Sequence, residues 1–184
     1  MTDTLSYPGG VLVLTIGHST RPLSEFTAIL HGPGVETLAD VRTVPRSRHN
    51  PQFNRDTLPE ELEAAGVTYA YLPGLGGFRH ARRDSINIGW RNAAFRGFAD
   101  YMQTAEFSAA IDQLMELALG SRVAIMCAEA VPWRCHRSLI ADALLARGVQ
   151  VEHILGAERR QPHRFPPFVR VEGTRVTYPA PAAL

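Results

Sequence analysis

The chain alternates short apolar runs with longer stretches in which apolar residues recur every three or four positions. Val11 to Ile16 is apolar but for Thr15, which reads as a strand buried on both faces. Leu23, Phe26, Ile29 and Leu30 then share one helical face, with Pro22 suited to the first turn and Gly32-Pro33-Gly34 as a stop. Thr37 to Val41 is a second strand. Thr57-x-x-Glu60 has the pattern of a capping box opening a helix with Leu58, Leu62 and Ala65 on its apolar side. Val67 to Leu72 is a third strand. Helices are expected over Asn92 to Gln103 and Glu106 to Leu119; in the second, Phe107, Ala110, Ile111, Leu114, Met115 and Ala118 keep helical spacing. A fourth strand begins at Val123. The helix after it carries Leu139, Ile140, Ala143 and Leu144 on one face and stops at Gly148. Val149 to Leu155 is a fifth strand, and Phe168 to Tyr178 around Glu172-Gly173 reads as a hairpin.

Strand alternating with helix implies an α/β fold: three layers, α/β/α, around a mostly parallel sheet of about five strands, with a C-terminal β-hairpin tail. The chain is read as a single domain over 1–184, with a core at 11–155 and an extension at 156–184. In such sheets ligands bind at the carboxyl ends of the strands. That edge collects His18 and Ser19 from the first strand, and Asp40, Arg42 and the Arg46 loop from the second. The Gly74 to Gly77 turn comes from the third, and Cys127 and Glu129 from the fourth. Cys135, His136 and Arg137 enter the following helix, and His153 lies on the fifth strand.

Composition narrows the classes. With 45% hydrophobic and 20% charged residues the chain is of the soluble globular kind, and no apolar run reaches a membrane span. Met1 to Gly10 lacks the features of a signal peptide, so a cytoplasmic location is expected, with no membrane partner. Net charge is +1, which leaves no global field to attract nucleic acid. All 19 basic residues are Arg; GC-rich coding is the plainer explanation, although Arg is also what phosphate recognition favours. Two cysteines in a cytoplasmic chain are expected as thiols.

Five blocks resemble a known family, and they occur in its order. They are Thr15-Ile16-Gly17-His18-Ser19; Asp40-Val41-Arg42 with Pro45-Arg46-Ser47; Tyr71-Leu72-Pro73-Gly74-Leu75-Gly76-Gly77; Cys127-Ala128-Glu129 with Cys135-His136-Arg137-Ser138; and His153-Ile154. The family is the bacterial and archaeal domain of unknown function 488. The resemblance implies a compact α/β domain and marks these blocks as the site. It supplies no reaction and no cofactor.

The residues allow several chemistries. Cys127 is expected as nucleophile or redox thiol, with Glu129 or His136 transferring protons and Cys135 beside it; a thiolate needs a nearby cation or helix N-terminus. The bland alternative is a buried cysteine ending a strand. A simple cysteine phosphatase is excluded, since six residues rather than five separate Cys127 from Arg134. Cys127 and Cys135 can form a reversible disulfide. His18, Ser19, Asp40, Arg42, Arg46 and Arg137 are candidate binders of an anionic substrate, a nucleotide or other phosphate-bearing molecule. Asp40 has a plainer alternative, a salt bridge that orders its loop. The Arg loops at 42–55 and 79–83 would instead serve a nucleic-acid-binding module, and the Cys/His set a zinc- or iron-bound domain. The expectation is therefore a cysteine-dependent enzyme on an anionic substrate. Its reaction, cofactor and oligomeric state stay open.

Overall fold

The computed structural model describes residues 10–180. Residues 1–9, on which the leader reading rests, and 181–184 lie outside that range. Six strands form one sheet in the order β3-β2-β4-β1-β5-β6. They are β1 (Leu12–Gly17), β2 (Thr37–Asp40), β3 (Thr68–Tyr71), β4 (Val123–Cys127), β5 (Gln150–Gly156) and β6 (Arg159–Pro162). The first five pair in parallel. β6 runs antiparallel to β5.

Helices cover both faces. α1 (Leu23–His31) and α2 (Leu58–Ala64) lie on one side, where Phe26, Leu30, Leu58 and Leu62 pack with Leu14, Leu38 and Met126. α3 (Ala93–Tyr101), α4 (Ala105–Gly120) and α5 (Arg137–Leu145) lie on the other, where Phe98, Phe107, Ile111 and Leu139 pack with Val13, Ala39 and Ile125. Successive strand residues feed opposite cores, the period-two consequence of the pleat. This is the expected three-layer α/β arrangement with a mostly parallel sheet.

Two local features differ from expectation. β6, of sequence Arg-Arg-Gln-Pro, is exposed along its length; it carries no apolar signal, and its backbone pairing with β5 alone makes it a strand. Thr57 does not cap α2 with its side chain; its hydroxyl donates to the Asn54 carbonyl instead. Side-chain caps form at α3 and α4, where Asn92 and Thr104 accept from first-turn amides.

The C-terminal hairpin, β7 (Arg170–Glu172) and β8 (Arg175–Thr177), packs back on the helical layer. Tyr178 is fully buried, its amide donates to Asn87 Oδ1, and its carbonyl accepts from the Gly89 amide. Trp90 packs edge-on against Phe95 and Phe168. The extension thus lies against α3 and the loop before it. No described helix is long and apolar enough to cross a membrane.

Candidate functional site

The loops after β1 and β4 are stitched together beyond the sheet. The His18 and Ser19 amides donate to the carbonyls of Cys127 and Ala128, both at 2.9 Å. Gly17 permits this approach: a Cβ there would sit 1.7 Å from the Glu129 carbonyl oxygen. Ser19 turns the chain with a φ of 51°.

After β4 the chain makes a short 3-10 turn, Pro132–Arg134, and enters α5. The turn carries Cys135 and His136 back over Cys127. One ligand atom from each of these three residues lies within 4.8 Å of the others. His136 Nε2 donates to the Val41 carbonyl at 3.1 Å, which turns the Nδ1 lone pair toward Cys135 Sγ at 3.6 Å. Gly77 leaves room for that ring, since a Cβ at 77 would fall 2.5 Å from Nδ1. Both cysteines are free.

The two thiols are electrostatically unlike. Cys135 Sγ accepts the Arg137 amide at the start of α5, at 3.5 Å. A hydrogen bond from Cys127 holds the Cys135 thiol down to about 6 against the opposing effect of burial, and Arg137 adds to the lowering. That same hydrogen bond, together with burial, pushes Cys127 up to about 12. The pair is thus polarised, with the Cys127 thiol set to donate and the Cys135 sulfur set to accept.

Arg137 is fully buried. Its NH2 donates to the Glu129 carbonyl and its NH1 to Thr15 Oγ1 at 3.4 Å. Nε is buried with no hydrogen-bond partner. None of the ion pairs among the described residues includes Arg137. A buried guanidinium without a carboxylate calls for an anion nearby, and the Cys135 sulfur is placed to be one.

A cavity of about 310 Å³ opens over the thiols. Its lining includes Cys127, Cys135, His136, Glu129, Arg42 and Arg134, together with the apolar Val44, Phe78 and Phe95. Val44 and Phe78 are exposed hydrophobics. The cavity thus combines two thiols, one carboxylate, two guanidiniums and apolar side chains. The same sulfurs and ring nitrogen could hold a soft divalent cation such as zinc, with one position facing the cavity.

The remaining candidates separate into groups. Asp40, Arg42 and His18 form a buried network beside the cavity. Arg42 donates from Nε to Asp40 Oδ1 at 2.9 Å and from NH2 to Oδ2 at 2.6 Å, and the Tyr69 hydroxyl also donates to Oδ2. Arg42 NH2 reaches the Phe53 carbonyl, and NH1 donates to His18 Nε2 at 3.3 Å. His18 Nδ1 donates to the Ser19 carbonyl, and the ring stacks on Phe53. Burial brings the His18 pKa down to about 4, so the ring is neutral. Arg42 lines the cavity with most of its donors engaged, and Asp40 has the plainer of its two readings, the salt bridge. Arg46 does not join the thiols: it is exposed, pairs with Asp56 at 3.5 Å, and lines a different surface pocket. Ser19 contributes its backbone rather than its hydroxyl.

Sequence reasoning did not select Thr15, Asp142, His163 or Tyr178, which form a buried polar chain behind Arg137. The available signal was Asp142, an acid inside the apolar face of α5. The structure as a whole defines an α/β protein with a paired-thiol pocket at the carboxyl edge of its sheet. The chain belongs to the family described as Domain of unknown function DUF488, whose profile matches residues 22–144. Comparison with curated proteins and with solved structures returned no match.

Proposed function

We propose that this protein is a cysteine-dependent enzyme acting on a small anionic substrate, with Cys135 as its reactive sulfur. The observation that carries the reading is the corner at the start of α5. There Cys135 Sγ accepts the Arg137 amide, beside a buried guanidinium that no carboxylate neutralises. A thiolate at a helix N-terminus next to Arg is the usual setting of a nucleophilic cysteine. His136 Nδ1 faces the sulfur as proton acceptor. In the proposed step Cys135 Sγ forms a bond to an electrophilic atom of the substrate. The leaving group departs with its electron pair and takes the thiol proton that His136 Nδ1 received from Cys135. Water then attacks the adduct and gives a proton to His136 Nδ1, while Cys135 leaves as the thiolate with the electron pair of the broken bond.

Arg134, exposed at the cavity rim and in none of the ion pairs among the described residues, supports an anionic substrate. The apolar lining of Val44, Phe78 and Phe95 suits a flat ring bearing that charge, as in a nucleotide. The nucleic-acid reading has less support. Arg46 and Arg82 are paired with Asp56 and Asp84, and Arg79 lies over the Tyr101 ring.

The test is alkylation of the native protein by iodoacetamide, mapped by mass spectrometry and run beside metal analysis of the same sample. Rapid labelling of Cys135 at neutral pH in metal-free protein is the expected result. Slow labelling of both thiols, or a stoichiometric metal ion shielding them, would overturn it.

A further inference from the structure

Behind Arg137, five side chains form a continuous hydrogen-bonded chain that ends in the C-terminal extension. Arg137 NH1 lies 3.4 Å from Thr15 Oγ1. Thr15 Oγ1 lies 2.7 Å from His153 Nδ1. His153 Nε2 lies 2.9 Å from His163 Nδ1, and His163 Nε2 lies 2.7 Å from Asp142 Oδ1. The Tyr178 hydroxyl closes the far end by donating to Asp142 Oδ2 at 2.6 Å.

The outer links have fixed directions. A guanidinium only donates and a carboxylate only accepts. Thr15 therefore accepts from Arg137, and His163 donates from Nε2 to Asp142. Between them the two imidazoles join Thr15 to His163 through both nitrogens of each ring. Burial brings the His153 pKa down to about 3, so that ring is neutral.

We propose that this hydrogen-bonded chain positions Arg137 behind Cys135, so that His163 and Tyr178 of the C-terminal extension are positioning residues for the thiol site. The inference rests on the reading of Cys135 as the reactive thiolate. Arg137 has no carboxylate of its own, and the chain links it instead to the buried Asp142. It also holds Thr15 Oγ1 with its lone pairs toward the guanidinium. With NH1 on Thr15 and NH2 on the Glu129 carbonyl, the Arg137 side chain is fixed at two points, behind the sulfur its own amide contacts. Thr15, His153, His163 and Tyr178 all lie outside residues 22–144, which the family profile matches. The extension is thus a working part of the site.

Two measurements test this. In wild-type protein, imidazole nitrogen NMR at neutral pH should show His153 neutral and both nitrogens of each ring hydrogen-bonded; an imidazolium at His153, or a ring nitrogen free of hydrogen bonds at either position, would overturn the chain. In the second, His163→Phe is compared with His163→Gln, whose amide can accept from His153 and donate to Asp142. His163→Phe should lower the Cys135 alkylation rate at neutral pH at least about tenfold, as the thiol returns toward its free pKa of about 8.5, and His163→Gln should restore most of it. Equal rates in wild type and His163→Phe would sink the positioning role while leaving the thiolate standing. A wild-type Cys135 already inert would instead sink the enzyme reading.

Discussion

Two arginines are buried at the carboxyl edge of the sheet, and they are buried in opposite ways. Arg42 is gripped in bidentate fashion by Asp40, braced by His18 and the Phe53 carbonyl, and its charge is cancelled where it stands. Arg137 meets two oxygens, a thiol-bearing neighbour and no carboxylate, and keeps one nitrogen unpartnered. The first arrangement is complete without a ligand. The second leaves a cation without a carboxylate, and the Cys135 sulfur sits beside it at the start of α5. Satisfied charge marks scaffold, and unsatisfied charge marks chemistry.

The comparison breaks most visibly under mutation of the satisfied pair. Asp40→Ala strands the buried Arg42 charge and should cost about 3–5 kcal/mol of stability, read from urea denaturation. The double variant Asp40→Leu with Arg42→Met should recover much of that loss, since an apolar pair leaves no charge unpaired. Arg137→Met sharpens the contrast. It removes a cation with no carboxylate partner, so the fold should survive better than Asp40→Ala. Cys135 alkylation at neutral pH should nonetheless fall at least about tenfold as the thiol climbs toward its free value.

Acid should act on the scaffold side. Burial lowers the His18 pKa to about 4 and that of His153 to about 3. Below their ordinary value of about 6.5 the unfolded chain binds protons that the folded one does not. Stability therefore falls as pH drops from there toward these lowered values. By pH 5 the loss should be on the order of 2 kcal/mol for each ring, about 4 kcal/mol together, measured as a drop in denaturation midpoint; a flat profile would mean that these rings charge freely in the fold. The smallest effect is expected at Arg46→Ala, which removes an exposed ion pair and should shift stability by less than about 0.5 kcal/mol with no change in thiol reactivity. A large loss of reactivity there would bring the Arg46 loop back into the site.

Much of this was legible in the residues. The apolar runs at Val11 to Ile16 and from Val123 were read as strands, and the spacing of Phe107 to Leu114 as a helix, because burial on two faces or one leaves a periodic record. The crowding of Cys127, Cys135, His136 and Arg137 at one strand end followed from the α/β pattern alone. What stayed hidden was set by three-dimensional pairing. β6 is a strand through backbone bonds to β5, which the polar side chains of Arg-Arg-Gln-Pro do not announce. Thr57 has the sequence of a cap, yet its hydroxyl finds a nearer acceptor. Which cysteine the Arg137 amide contacts depends on the turn at Pro132–Arg134, which spacing does not reveal. His163 joins Asp142 only because β6 turns the chain back along β5. Arg46 looked like its neighbour Arg42, but one side chain turns inward to Asp40 and the other outward to Asp56.

The most direct measurement is the pH-rate profile of alkylation at each cysteine in the wild-type protein, resolved by mass spectrometry. The account predicts that Cys135 reacts first, with a rate that rises through a pH of about 6, while Cys127 stays silent until its partner is modified. Labelling of Cys127 first, or of neither thiol until the free-thiol range near about 8.5, would contradict it.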